Sequence, residues 1–194
     1  MRAAALLLAL AGCVAAPAPD LRATLTAAQI EAIGGPLLLA EAPALGTAAL
    51  LPEVAWNAAT RTWASADGVS LSTTGGLIVA TRGLGFDLLS ADVSGTLAAL
   101  AGGVRQDYPR LHSYLDGENR TAFRAFRCVM TSAGRETLDA FGTRREVTRL
   151  VETCYSTGDP IVNSYWVGED GLPWRTRQWV SPEVGPVLTD LLRP

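Results

Sequence analysis

The chain has 194 residues, 48% hydrophobic and 18% charged, with a formal net charge of −3. All 16 basic residues are arginines, but the acidic balance excludes the basic face that nucleic-acid binding needs. The length suits one domain with a sizeable core.

Met1-Arg2 opens the chain with one positive charge, and Ala3 to Ala9 is unbroken Ala and Leu. Leu10-Ala11-Gly12-Cys13 follows. A basic start, an apolar middle and a small-residue cleavage site make a secretory signal, and this run resembles the bacterial lipoprotein signal. The resemblance implies removal of residues 1–12 and lipid attachment at Cys13, by diacylglyceryl on sulfur and a fatty acyl chain such as palmitate on the new amine. It implies no other cofactor. Three acyl chains hold a protein where one is marginal, and the apolar run is shorter than the ~20 residues that span a bilayer. Cleavage of Arg2 takes the charge from −3 to −4. Residues 13–22, with Pro17 and Pro19, read as a flexible tether, and residues 23–194 as a single β-rich domain. In lipoproteins of this class an Asp after the cysteine retains the protein at the inner membrane. Val14 stands there, which implies the outer membrane, facing the periplasm.

Thr26 and Gln29 form a capping box for a short helix over 27–33, and Gly34-Gly35-Pro36 ends it. Ile30 and Ile33 give it an apolar edge. From Leu37 the pattern is short apolar runs punctuated by Asp67-Gly68, Gly75-Gly76, Asp116-Gly117 and Asp170-Gly171, which favour tight hairpins. Strands are predicted at 37–42, 47–56, 61–66, 69–73, 76–82, 110–115, 120–131, 135–141, 144–155, 161–168, 172–180 and 187–192. Residues 87–100 read as a helical turn or ordered crossover. The fold class is mainly β. Short connections predict one large antiparallel sheet curled into a barrel or half-barrel, or folded into a sandwich, with a short N-terminal helix.

With Cys13 assigned to lipid, Cys128 and Cys154 remain as an even pair in an oxidising compartment. A bridge between them closes about 26 residues and contributes roughly 3.5 kcal/mol on a chain-entropy estimate. The alternative is two separate buried thiols. No metal site is expected, since His112 is the only histidine and no Cys-x-x-Cys occurs.

Catalytic signals are weak, and no catalytic residue is assigned. A Ser-His-Asp arrangement needs His112, whose neighbour Ser113 points to the opposite face of the strand. Gly83-Leu84-Gly85 starts like a dinucleotide loop, but Leu88 stands where the third glycine belongs. Asp87, Asp92, Asp116, Glu118 and Glu152 show no spacing that singles out a glycosidase pair.

Thr81-Arg82-Gly83-Leu84-Gly85, Tyr114-Leu115-Asp116-Gly117, Glu152-Thr153-Cys154, Asn163-Ser164-Tyr165-Trp166-Val167 and Arg177-Gln178-Trp179-Val180 together resemble the YjbF/GfcB/YmcC family of outer-membrane lipoproteins. The resemblance runs from about Gly35 to the end. It implies a mostly antiparallel β lipoprotein of exopolysaccharide or capsule operons. Implied partners are the membrane through the lipid, an outer-membrane barrel and periplasmic proteins of a polysaccharide export system, and the polysaccharide. The expected role is a non-enzymatic accessory of secretion, with a direct glycan-binding module as the alternative and a polysaccharide-modifying enzyme disfavoured.

One face is a candidate for glycan or partner binding. A two-residue turn at Asp170-Gly171 sets Trp166 opposite Arg175 and Val162 opposite Trp179, so Trp166, Arg175, Arg177 and Trp179 share a side of the sheet. Aromatic faces suit sugar rings, and guanidinium suits carboxylates; the alternative is that these residues only cover the sheet and stiffen it.

Overall fold

The computed structural model describes residues 20–102, 105–116 and 118–194. Cys13 and the signal segment lie outside the described residues. Leu21 and Arg22, at the end of the segment read as tether, belong to helix α1 (Leu21–Thr24), capped by the Asp20 carboxylate. Arg22 is ion-paired to Glu41 and Asp190. Helix α2 (Ala27–Ile33) carries the expected Thr26–Gln29 capping box and stops at Gly34, whose φ of 70° is unfavourable for any side chain. Ile30 is buried, whereas Ile33 is 43% exposed. Among the described residues no helix is long and apolar enough to cross a membrane.

The strands are β1 (Leu37–Ala42), β2 (Thr47–Asn57), β3 (Thr60–Ala64), β4 (Ser70–Thr74), β5 (Leu77–Arg82), β6 (Ser90–Asp92), β7 (Arg105–Leu115), β8 (Thr121–Ala140), β9 (Thr143–Tyr155), β10 (Ile161–Gly168), β11 (Pro173–Ser181) and β12 (Gly185–Arg193). They form one antiparallel sheet in the order β5-β4-β3-β2-β1-β12-β11-β10-β9-β8-β7-β6. Neighbours in the sheet are therefore consecutive in sequence except β1 and β12, and the consecutive strands β5 and β6 form its two edges. The two edges approach each other, and Thr81 N–H donates to the Leu88 carbonyl at 2.9 Å. The sheet is a nearly closed barrel, which settles the three expected architectures in favour of the first.

Three expectations change. The strands placed at 120–131 and 135–141 are one strand, β8, which absorbs an irregularity between Ser132 and Gly134; Gly134 takes a φ of 100° there, so the chain bends without ending the ladder. The helical turn expected within 87–100 is present as helix α3 (Ser94–Gly102), but a short strand, β6, precedes it. Asp92 accepts from Ser94 N–H at the start of that helix. A side chain at Gly95 would lie 2.7 Å from the Tyr108 ring, so glycine lets α3 sit directly on β7. The Asp170-Gly171 turn is longer than two residues. Gly168 N–H bonds to the Leu172 carbonyl, and Val167 faces Pro173 across a bulge.

Strand β5 also leans inward against β11. Gln178 accepts from Ile78 N–H at 3.0 Å and donates to the Gly76 carbonyl at 3.0 Å. The core therefore divides into two apolar clusters. One contains Leu38, Leu51, Trp63, Leu71 and Val180, and the other Tyr108, Phe126, Met130, Leu150 and Tyr165. Beyond the barrel, β8 and β9 continue as a hairpin arm whose Leu138 and Val147 pack on Trp174.

Candidate functional site

Two groups of side chains stand out. The first lies inside the barrel. Alternation along β7 turns Tyr108, Arg110, His112 and Tyr114 inward, and all four are buried. The same period turns Glu152 of β9 and Asn163 and Tyr165 of β10 inward to meet them. The Glu152 carboxylate accepts from Thr96 Oγ1 (2.6 Å), Tyr108 OH (2.9 Å), Arg110 Nη1 (2.9 Å), Asn163 Nδ2 (2.7 Å) and Tyr165 OH (2.8 Å). Arg110 Nε donates to His112 Nε2 at 2.9 Å. That leaves Nδ1 to carry the imidazole proton, facing Tyr114 OH at 2.8 Å. Tyr114 in turn donates to the Val180 carbonyl at 2.6 Å. The chain of bonds runs from Glu152 to the β11 backbone with each member satisfied.

Burial alone would raise the Glu152 carboxyl, but Arg110 and the hydroxyl and amide donors hold it below its ordinary range. Burial, then the charges of Arg110 and Arg124, push His112 well below its usual value. Burial and the nearby Glu152 charge raise Tyr108 and Tyr165. This constellation is a structural core: its acid, base and hydroxyls are spent on one another.

A pH dependence follows. Both His112 and Glu152 titrate lower when folded than when unfolded, so below their ordinary values of 6.5 and 4.5 the unfolded chain binds more protons. Stability should be full above the ordinary histidine range, fall as His112 is forced to charge, and fall further as Glu152 is protonated. The limiting slope is about 1.4 kcal/mol per pH unit for each group. Melting temperature measured from neutral pH down to about pH 3 checks this, and a flat profile would contradict it.

Cys128 and Cys154 face each other across β8 and β9 with Cα atoms 4.0 Å apart, and their sulfurs are bonded. The alternative of two separate buried thiols is set aside. Both cysteines lie in the second apolar cluster. Glu152 brings a carboxylate close to the two sulfurs, but these sulfurs are joined to each other.

The second group lies at one end of the barrel, where β10 and β11 part. Their ladder runs from Trp166 opposite Arg175 to Ser164 opposite Arg177. Beyond that, Trp179 N–H donates to the Asn163 side chain at 2.7 Å, and the backbones separate. The Trp179 ring drops into the opening, stacked near-parallel on His112 with centroids 6.0 Å apart. The guanidinium of Arg124, on β8, sits 5.3 Å from the Trp179 centroid and 5.1 Å from that of Phe126. Above them is a cleft of about 490 Å³, lined by Arg124, Asp159, Val162, Arg177 and Trp179 and walled by Pro160 and Pro182.

The four residues expected on one face thus divide. Arg177 and Trp179 line the cleft. Trp166 donates to Glu136 and lies 5.2 Å from the Arg149 guanidinium. Arg175 is ion-paired to buried Asp190 at 2.6 Å. Arg124 is the cleft residue that sequence reasoning missed. Its signal was present in Phe123-Arg124-Ala125-Phe126, an arginine two positions before an inward-facing aromatic, but nothing in the sequence shows that β8 approaches β11 there.

A family model described as "Group 4 capsule polysaccharide lipoprotein gfcB, YjbF" matches residues 5–192. Among solved structures, the hypothetical lipoprotein YmcC from Escherichia coli (K12) superposes with a TM-score of 0.75 at 24% identity, covering 88% of this chain and 89% of that one. That likeness carries the fold. No curated protein is similar enough to count as a match.

Proposed function

The chain belongs to the YjbF family of group 4 capsule polysaccharide lipoproteins, and from that premise we propose that it is a lipid-anchored, non-enzymatic accessory of exopolysaccharide or capsule secretion. The family match over residues 5–192 carries this reading. The anchor is a lipidated Cys13, and the residues after it support an outer-membrane address with the domain in the periplasm. The partners are an outer-membrane barrel and periplasmic proteins of the export system. The barrel interior favours a scaffold over an enzyme, because Glu152, Arg110 and His112 are bonded to each other rather than presented to a cavity.

Cys13→Ser should move the protein from the membrane fraction to the soluble fraction, or leave it unprocessed. Mass spectrometry of the wild-type N-terminal peptide should show acylation at Cys13. A mutant that is still correctly cleaved and still requires detergent would sink the anchor. Outer-membrane placement is checked by density-gradient fractionation of the wild type. Migration with inner-membrane markers would overturn that part alone.

A further inference from the structure

We infer that the cleft between β10 and β11 is a binding site for a carboxylate-bearing saccharide, held by the guanidinium groups of Arg124 and Arg177. The inference rests on the polysaccharide reading above and gives it a site and a ligand class.

Eight of the described arginines, Arg22, Arg61, Arg110, Arg120, Arg127, Arg144, Arg175 and Arg193, are each ion-paired to a carboxylate. Arg124 and Arg177, like Arg82, Arg135, Arg145 and Arg149, have no such partner among the described residues, but these two alone lie together in one cleft. Each donates to one backbone carbonyl, Arg124 to Thr157 at 3.2 Å and Arg177 to Val162 at 3.2 Å. A guanidinium has five donors, so both keep donors for an incoming anion. Both residues line the same cleft.

The cleft also holds Arg124 in place. Arg124 lies against Trp179 and Phe126, and Trp179 is braced from behind by His112, whose own ring is fixed by Arg110 and Tyr114. A guanidinium already positioned on aromatic rings loses less freedom when it binds, so more of each contact appears as affinity. The walls of Pro160, Val162 and Pro182 are apolar and carry no flexible side chain. Such walls suit the C–H faces of a pyranose ring while the two arginines take its carboxylate. Asp159 is the one acid among the lining residues and can accept from sugar hydroxyls. A bare phosphate or an extended acidic peptide would make little use of these apolar walls.

The test uses the full-length lipoprotein in detergent, with hexagalacturonate as the probe and intrinsic tryptophan fluorescence as the readout. Binding should weaken with added salt. The fully methyl-esterified oligomer, which has the same sugars without the charge, should not bind. Arg124→Met and Arg177→Met keep the apolar stem and remove the charge. Each should weaken binding roughly tenfold, the loss of one charge-assisted contact, with the melting temperature unchanged.

Failure of the wild type to bind would overturn the inference, as would equal binding of the ester or variants that keep wild-type affinity. Equal binding of poly-glutamate would reassign the cleft to an acidic protein partner. The polysaccharide reading is separated by export in cells. A deletion strain that still exports defeats that reading, whereas export lost on deletion but intact in the Arg124→Met/Arg177→Met strain defeats the cleft alone.

Discussion

Glu152→Ala is expected to cost about 3–5 kcal/mol of folding stability, the range for removing one partner of a buried ion pair. The variant leaves Arg110 charged and 1% exposed with no carboxylate. It also strips an acceptor from Thr96, Tyr108, Asn163 and Tyr165. At about 2–4 °C per kcal/mol for a domain of this size, the melting temperature should drop by roughly 6–20 °C. Glu152→Gln keeps the shape but leaves the guanidinium uncompensated, so it should fall on the same side. The double change Arg110→Met/Glu152→Met removes both charges and should recover part of the loss. Thermal melts of the three variants decide the matter. A Glu152→Ala protein that melts with the wild type would show that the pair contributes nothing.

The second large effect is expected from the disulfide. Its loop spans 26 residues in sequence, and losing it should lower stability by roughly 3.5 kcal/mol on the chain-entropy account. Cys128→Ala and Cys154→Ala should each lose about this much, and the double mutant little more, because the bond is gone after the first change. The bridge lies two residues from Glu152 on the same inward face, so the two perturbations should not add cleanly. Reductant should shift the denaturation midpoint of the wild type and leave the double mutant where it was. A non-reduced digest should contain the linked peptides. Two free thiols in protein taken from its native compartment would contradict the assignment.

Much of this fold is legible in the sequence because its signals are local. The Thr26–Gln29 capping box, the Gly34-Gly35 stop and the Gly75-Gly76 turn each act within a few residues. The alternation along β4 and β11 needs only one strand to be read. What was not legible depends on distant partners. Strand β6 has three residues, and it exists because β7 offers an edge to pair with. The bulge at Gly134 joins two apparent strands into one, which no apolar count distinguishes from a turn. The interior cluster left a trace in the polar and aromatic residues at 108, 110, 112 and 114. That they converge on Glu152 follows from sheet order, and sheet order was not in the pattern. The expected register holds at Trp166 opposite Arg175 and ends beyond Ser164, because Asn163 replaces a backbone acceptor with its side chain and lets the strands part.

The proposed lipid-anchored role in polysaccharide export stands or falls in the cell. The most direct test is the amount of polysaccharide at the cell surface in a deletion strain complemented with either the wild type or Cys13→Ser, at matched levels of folded protein. The deletion strain should lose surface polysaccharide, the wild type should restore it, and Cys13→Ser should not. Normal surface polysaccharide in the deletion strain, or full restoration by Cys13→Ser, would contradict it.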